Sequence, residues 1–126
     1  MAKVKCAETA IELCFRLKQD VGSYALMGGT GFAHTDFLQC CKFAEGDSRI
    51  LMQKMARDRM AKFARGAKGG GGPGEEEACL ALATALQSAK GSRMERWDAN
   101  WRLVYDLAER IMDGVLQEWG GGKAKL

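Results

Sequence analysis

The sequence has little of what most catalytic or metal-binding sites are built from. It holds one histidine, His34, and one proline, Pro73. A lone histidine, with no C-x-x-C pair among the cysteines, argues against a zinc site. The five cysteines (Cys6, Cys14, Cys40, Cys41 and Cys79) are odd in number and scattered. That pattern argues against a disulfide framework and for thiols packed as small hydrophobes. No apolar run reaches the ~18 residues of a membrane span. The opening MAKVKCAETA lacks the apolar core of a secretory signal, while a cleaved transit peptide stays open. The net charge of +3 is too mild to imply nucleic acid by itself. No stretch shows the period-two alternation of a strand.

What is present reads as helix, in a length suited to one domain, 1–126. Val4, Ala7, Ile11, Cys14, Leu17 and Val21 recur at three- and four-residue steps and predict a first helix over 3–27. Gly22 inside it marks close packing or a kink. Gly28-Gly29-Thr30-Gly31 caps its end, and 32–43 holds one or two further helical turns. A second helix is predicted over 48–64, capped by Asp47 or Ser48. Met52, Met55, Ala56, Met60 and Phe63 form its apolar stripe, and Arg49, Lys54, Arg57, Arg59, Lys62 and Arg65 make the rest basic. The glycine-rich stretch 66–74 reads as a linker between two helical hairpins, 1–65 and 75–119. Glu75, Glu76 and Glu77 open a third helix at the positive end of its dipole. Ser92 caps a fourth over 93–119, with Met94, Trp97, Trp101, Val104, Ala108, Ile111 and Val115 along one seam. Residues 120–126 are a tail. The expected fold is an all-α, four-helix up-and-down bundle.

ALMGGTGF followed by CKFAEGDSRILMQKMARD resembles the C-terminal helical domain of the acyl-CoA dehydrogenase and acyl-CoA oxidase family, over residues 4–65. The residues carrying the resemblance are Gly28-Gly29-Thr30-Gly31-Phe32 and Ala44-Glu45-Gly46-Asp47. The resemblance implies a bundle of that kind and FAD-dependent oxidation of acyl-CoA thioesters. It places the α-proton base at Glu45, which would need a dry setting beside the flavin to raise its pKa. It places cofactor contacts at Gly28, Gly29, Gly31 and Gly46. This chain departs from the family at Ala25, Asp47 and Arg49, and it contains neither the N-terminal helical domain nor the β domain that hold flavin and substrate. No P-loop or Rossmann pattern surrounds the glycine turn, which as a bare sequence reads as a helix cap.

The expectation is therefore a non-catalytic accessory or structural subunit of a larger assembly, with no cofactor of its own. The alternative is the C-terminal part of a flavin enzyme, with FAD completed by partner chains and Glu45 as base. Trp97, Trp101 and Trp119 are either core or interface anchors. The basic face, with Arg49 and Arg57, is either a solvated surface or a contact for an acidic partner, CoA phosphate or an anionic membrane surface. The expected partners are other protein subunits through helix–helix contacts, and not nucleic acid, since no exposed aromatics interleave the basic residues. His34 reads as a surface or capping residue. Family analogy points to an organelle: mitochondrion, plastid or peroxisome.

Overall fold

The computed structural model describes residues 2–44, 46–69 and 72–121. Among these it is all-helical, with six α-helices, two short 3-10 turns and no strand. The helices are α1 (Ala2–Val21), α2 (Thr35–Cys40), α3 (Ser48–Phe63), α4 (Glu75–Ser88), α5 (Arg93–Ala99) and α6 (Trp101–Gly121). The chain divides into two compact units, Met1–Leu51 and Met52–Leu126. The division falls inside α3, whereas the glycine-rich stretch lies within the second unit.

In the first unit, the predicted helix over 3–27 stops early. Gly22 takes φ +59°, a left-handed conformation that suits glycine, and the chain continues as a 3-10 turn over Gly22–Leu26. Gly22 thus ends the helix, and no neighbour lies where its Cβ would be. Met27 N–H donates to the Tyr24 carbonyl, and the glycine turn follows. α1 packs on α2, with Val4, Ile11 and Thr35 buried. The Thr35 hydroxyl donates to the Phe32 carbonyl at 2.6 Å and stands 3.4 Å from Cys14 Sγ, so the thiol is the donor in that pair.

The second unit has its core between α3, α4 and α6. Ala56, Ala78, Cys79, Leu82, Val104 and Leu107 are buried together, with Met60, Phe63, Leu86 and Trp97 packed around them. Leu82 and Leu107 are fully covered, each a burial worth roughly 1.5–3 kcal/mol.

Two expectations are corrected here. The single helix over 93–119 is two helices, broken at Asn100 (φ −101°, ψ 25°), whose side chain donates to the Arg96 carbonyl at 2.8 Å. Arg59 is not part of the basic surface. It is only 7% exposed and pairs with Glu75, itself 3% exposed, and it donates to the Ala67 carbonyl. An arginine so placed is tolerated because a carboxylate accepts from its Nε and a carbonyl from its Nη1, although its buried Nη2 has no partner among the described residues.

Candidate functional site

The first unit carries the glycine turn at 28–31 and the chain on both sides of Glu45. Glu45 lies outside the described residues. The chain on either side of it is tied to α1. Lys3 Nζ donates to the Lys42 carbonyl at 2.8 Å, the Gly46 carbonyl at 2.7 Å and Ser48 Oγ at 3.4 Å. Lys42 pairs with Glu8 at 2.8 Å. Asp47 caps α3, its carboxylate accepting from Arg49 N–H at 2.7 Å. The Arg49 side chain is exposed.

The glycine turn is open. Gly29 and Gly31 have φ of +77° and +83°, and Gly28, Gly29 and Gly31 have no neighbour within 4 Å of where a Cβ would stand. Gly46 (φ +105°) instead faces the Leu51 side chain at 3.6 Å. Thr30 donates to the Met27 carbonyl, closing the turn on itself. His34 is exposed at the end of the second 3-10 turn.

The same unit leaves a row of apolar side chains uncovered. Leu13, Leu17 and Val21 follow one another at four-residue steps on α1 and are all exposed. Leu26, 89% exposed, and Met27 follow directly. The predicted stripe of α1 is therefore buried only toward its N-terminus.

The second unit contains a groove of about 630 Å³. α3 contributes Arg57, Met60 and Ala61, which share one helix face by their three- and four-residue steps, and Ala64 follows directly after its end, its N–H donating to the Met60 carbonyl at 3.0 Å. Leu86 and Gln87 come from the end of α4. α5 contributes Arg93, Met94, Arg96 and Trp97. α5 is held in place by a capping box: Ser92 N–H donates to the Glu95 carboxylate at 2.7 Å, and Glu95 N–H to Ser92 Oγ at 3.3 Å. The Ser92 backbone N–H, helped by the Ser92 hydroxyl, holds the Glu95 carboxyl below its ordinary 4.5.

The groove wall is basic and rich in donors. Arg57 lies 5.4 Å from the Trp97 ring and donates to Gln53. Arg96 donates to the Leu86 carbonyl. The buried Arg96 Nε and Trp97 Nε1 have no hydrogen-bond partner among the described residues. No carboxylate lines the groove, and none pairs with Arg57, Arg93 or Arg96 among the described residues. Such a surface suits a guest with an apolar face and negative charge.

Of the residues singled out from sequence, the structure brings Arg57 and Trp97 together in this groove. Trp101 is exposed, set edge-on to Tyr105 and covered on one side by Arg102. Trp119 is 65% exposed. Arg93, Arg96, Gln87, Ala61 and Ala64 are not candidates from the sequence. The signal for them is Met94 at the head of the seam, with Arg93 before it and Arg96 two positions after. Among the described residues, no cluster of ligating side chains could hold a metal ion, and no helix is long and apolar enough to cross a membrane. No family model matches the chain, and neither a curated protein nor a solved structure shows significant similarity to it.

Proposed function

We propose that this chain is a non-catalytic accessory subunit of a larger protein assembly, and that it derives from the C-terminal domain of an acyl-CoA dehydrogenase-like ancestor. On this reading its helices descend from a four-helix up-and-down bundle whose helix–helix contacts now serve other subunits. The observation that carries it is the uncovered row on α1, Leu13, Leu17 and Val21, continued by Leu26 and Met27. A contiguous apolar row with helical spacing is the kind of surface that another helix covers.

A second reading is favoured by the open space around Gly28, Gly29 and Gly31. In it, the turn approaches a flavin held by a partner chain and Glu45 serves as the base. One preparation separates the two. The chain is purified from its natural source, its visible spectrum is recorded and its companion chains are identified by mass spectrometry. A constant set of partners without flavin, lost on Leu13→Glu/Leu17→Glu substitution and kept in Glu45→Gln, supports the accessory subunit. Stoichiometric flavin with turnover abolished by Glu45→Gln supports the second reading.

A further inference from the structure

We infer that the groove of the second unit receives an amphipathic helix of a partner protein whose apolar face is bordered by carboxylates. This rests on the reading of the chain as an accessory subunit and names the chemistry of one partner.

The floor fits a helix. Ala61 and Ala64 are small, so a guest backbone can approach α3 closely. Met60 and Met94 are unbranched and polarizable, and thioethers adapt to the shape set on them. Met94 is 72% exposed, an apolar side chain standing at the surface beside the half-buried Trp97. A large aromatic beside flexible apolar residues is the usual composition of a helix-binding groove. The groove walls are helices, and no strand edge occurs among the described residues, so recognition by strand addition has no template here.

The rim fixes the sign of the guest's charge. Arg57, Arg93 and Arg96 line the groove without a carboxylate partner among the described residues. Of the two acids in α5, Glu95 is occupied in the capping box and Asp98 does not line the groove. Arginine forms paired hydrogen bonds with carboxylates, so Asp or Glu flanking an apolar stripe complements this rim. A basic guest would meet like charge.

The test uses the full chain, affinity-tagged in its source cell, as wild type, Met94→Glu, Arg57→Glu/Arg93→Glu and Arg93→Lys. A photo-cross-linking amino acid placed at position 94 reports which segment lies in the groove. These side chains are at the surface or groove wall, and unchanged helicity and melting confirm that each variant folds. The inference expects Met94→Glu and the double reversal to retain at least about tenfold less of one partner, and Arg93→Lys to retain it. It expects the cross-link on a segment with apolar residues at i, i+3 or i+4 and i+7 bordered by Asp or Glu. It also expects a synthetic peptide of that segment to shift the tryptophan emission, with affinity falling as salt rises. The inference is overturned if both variants keep every partner, if the segment is basic or uncharged, or if the groove takes a fatty anion such as palmitate and not the peptide. Retained partners with an indifferent groove would leave the accessory reading standing. No partner for the wild type would overturn both.

Discussion

Arg59 and Glu75, sixteen positions apart in sequence, form a buried ion pair that ties the middle of α3 to the first turn of α4. Arg59 also lies 5.7 Å from the Phe63 ring and donates to the Ala67 carbonyl, so one side chain joins α3, the chain just beyond it and the start of α4. Removing one partner of a buried pair leaves the other charge uncompensated. Glu75→Gln is therefore expected to destabilise the protein by about 3–5 kcal/mol, read from urea denaturation. The double replacement Arg59→Met/Glu75→Leu is expected to recover most of that loss, because it removes both charges and keeps the volume.

A glycine in the following loop is required for a different reason. A Cβ on Gly72 would stand 2.5 Å from the Arg110 carbonyl oxygen and 3.1 Å from Gly114 Cα, both backbone atoms of α6. Neither can swing aside as a side chain can. Gly72→Ala is expected to cost about 1–3 kcal/mol in a denaturation experiment. Gly28→Ala, in open space, is expected to be neutral or stabilising by up to about 1 kcal/mol.

The cysteines divide by accessibility. Cys6 and Cys40 are exposed, and Cys79 is fully covered in the core of the second unit. Burial pushes the Cys79 thiol up, only partly opposed by Arg59. In the native protein at neutral pH, a maleimide should label Cys6 and Cys40 quickly and Cys79 only after unfolding. A raised thiol pKa adds stability that is complete below the unfolded value and is lost as pH rises through the folded one. Cys79→Ala should therefore flatten part of the alkaline decline in melting temperature.

The capping box of α5 gives the opposite sign. The Ser92 N–H and hydroxyl lower the Glu95 carboxyl below 4.5. A depressed carboxyl contributes stability above its unfolded pKa, and that contribution disappears as pH falls through the folded value. Helical order at 93–99, followed by amide NMR, should therefore decline below about pH 4.5 in the wild type. Glu95→Gln should weaken that dependence. Ser92→Ala is expected to cost about 1 kcal/mol near neutral pH through loss of the cap.

Much of the helical architecture is legible in the sequence. The stripe of Val4, Ala7 and Ile11, the stripe of Met52, Ala56 and Met60, and the Ser92 cap all mark elements that the structure contains. The break at Asn100 is not legible, since the apolar spacing runs through it from Trp97 to Val104 without a glycine or proline. Arg59 is instructive. It stands in step with Met52, Ala56 and Phe63, on the buried seam, but its charge suggests the surface. Its burial depends on the Glu75 carboxylate, sixteen positions along the chain, and on the Ala67 carbonyl. The groove depends in the same way on three helices meeting, and no local pattern announces such a meeting. Met94 signals it only as an apolar residue that the core leaves outside.

Asn100 separates the element that forms one groove wall from the element that anchors the core. α5 supplies four of the groove's ten lining residues, whereas Val104, Leu107 and Ala108 of α6 are fully covered. α5 is also tied to α4, where Arg96 donates to the Leu86 carbonyl, and its Trp97 packs against the core, so Asn100 is one of several residues that set where this wall stands. Trp97, Met60 and Leu86 line the groove and also pack against the buried core, so a substitution at any of them changes the groove and the stability of the second unit together.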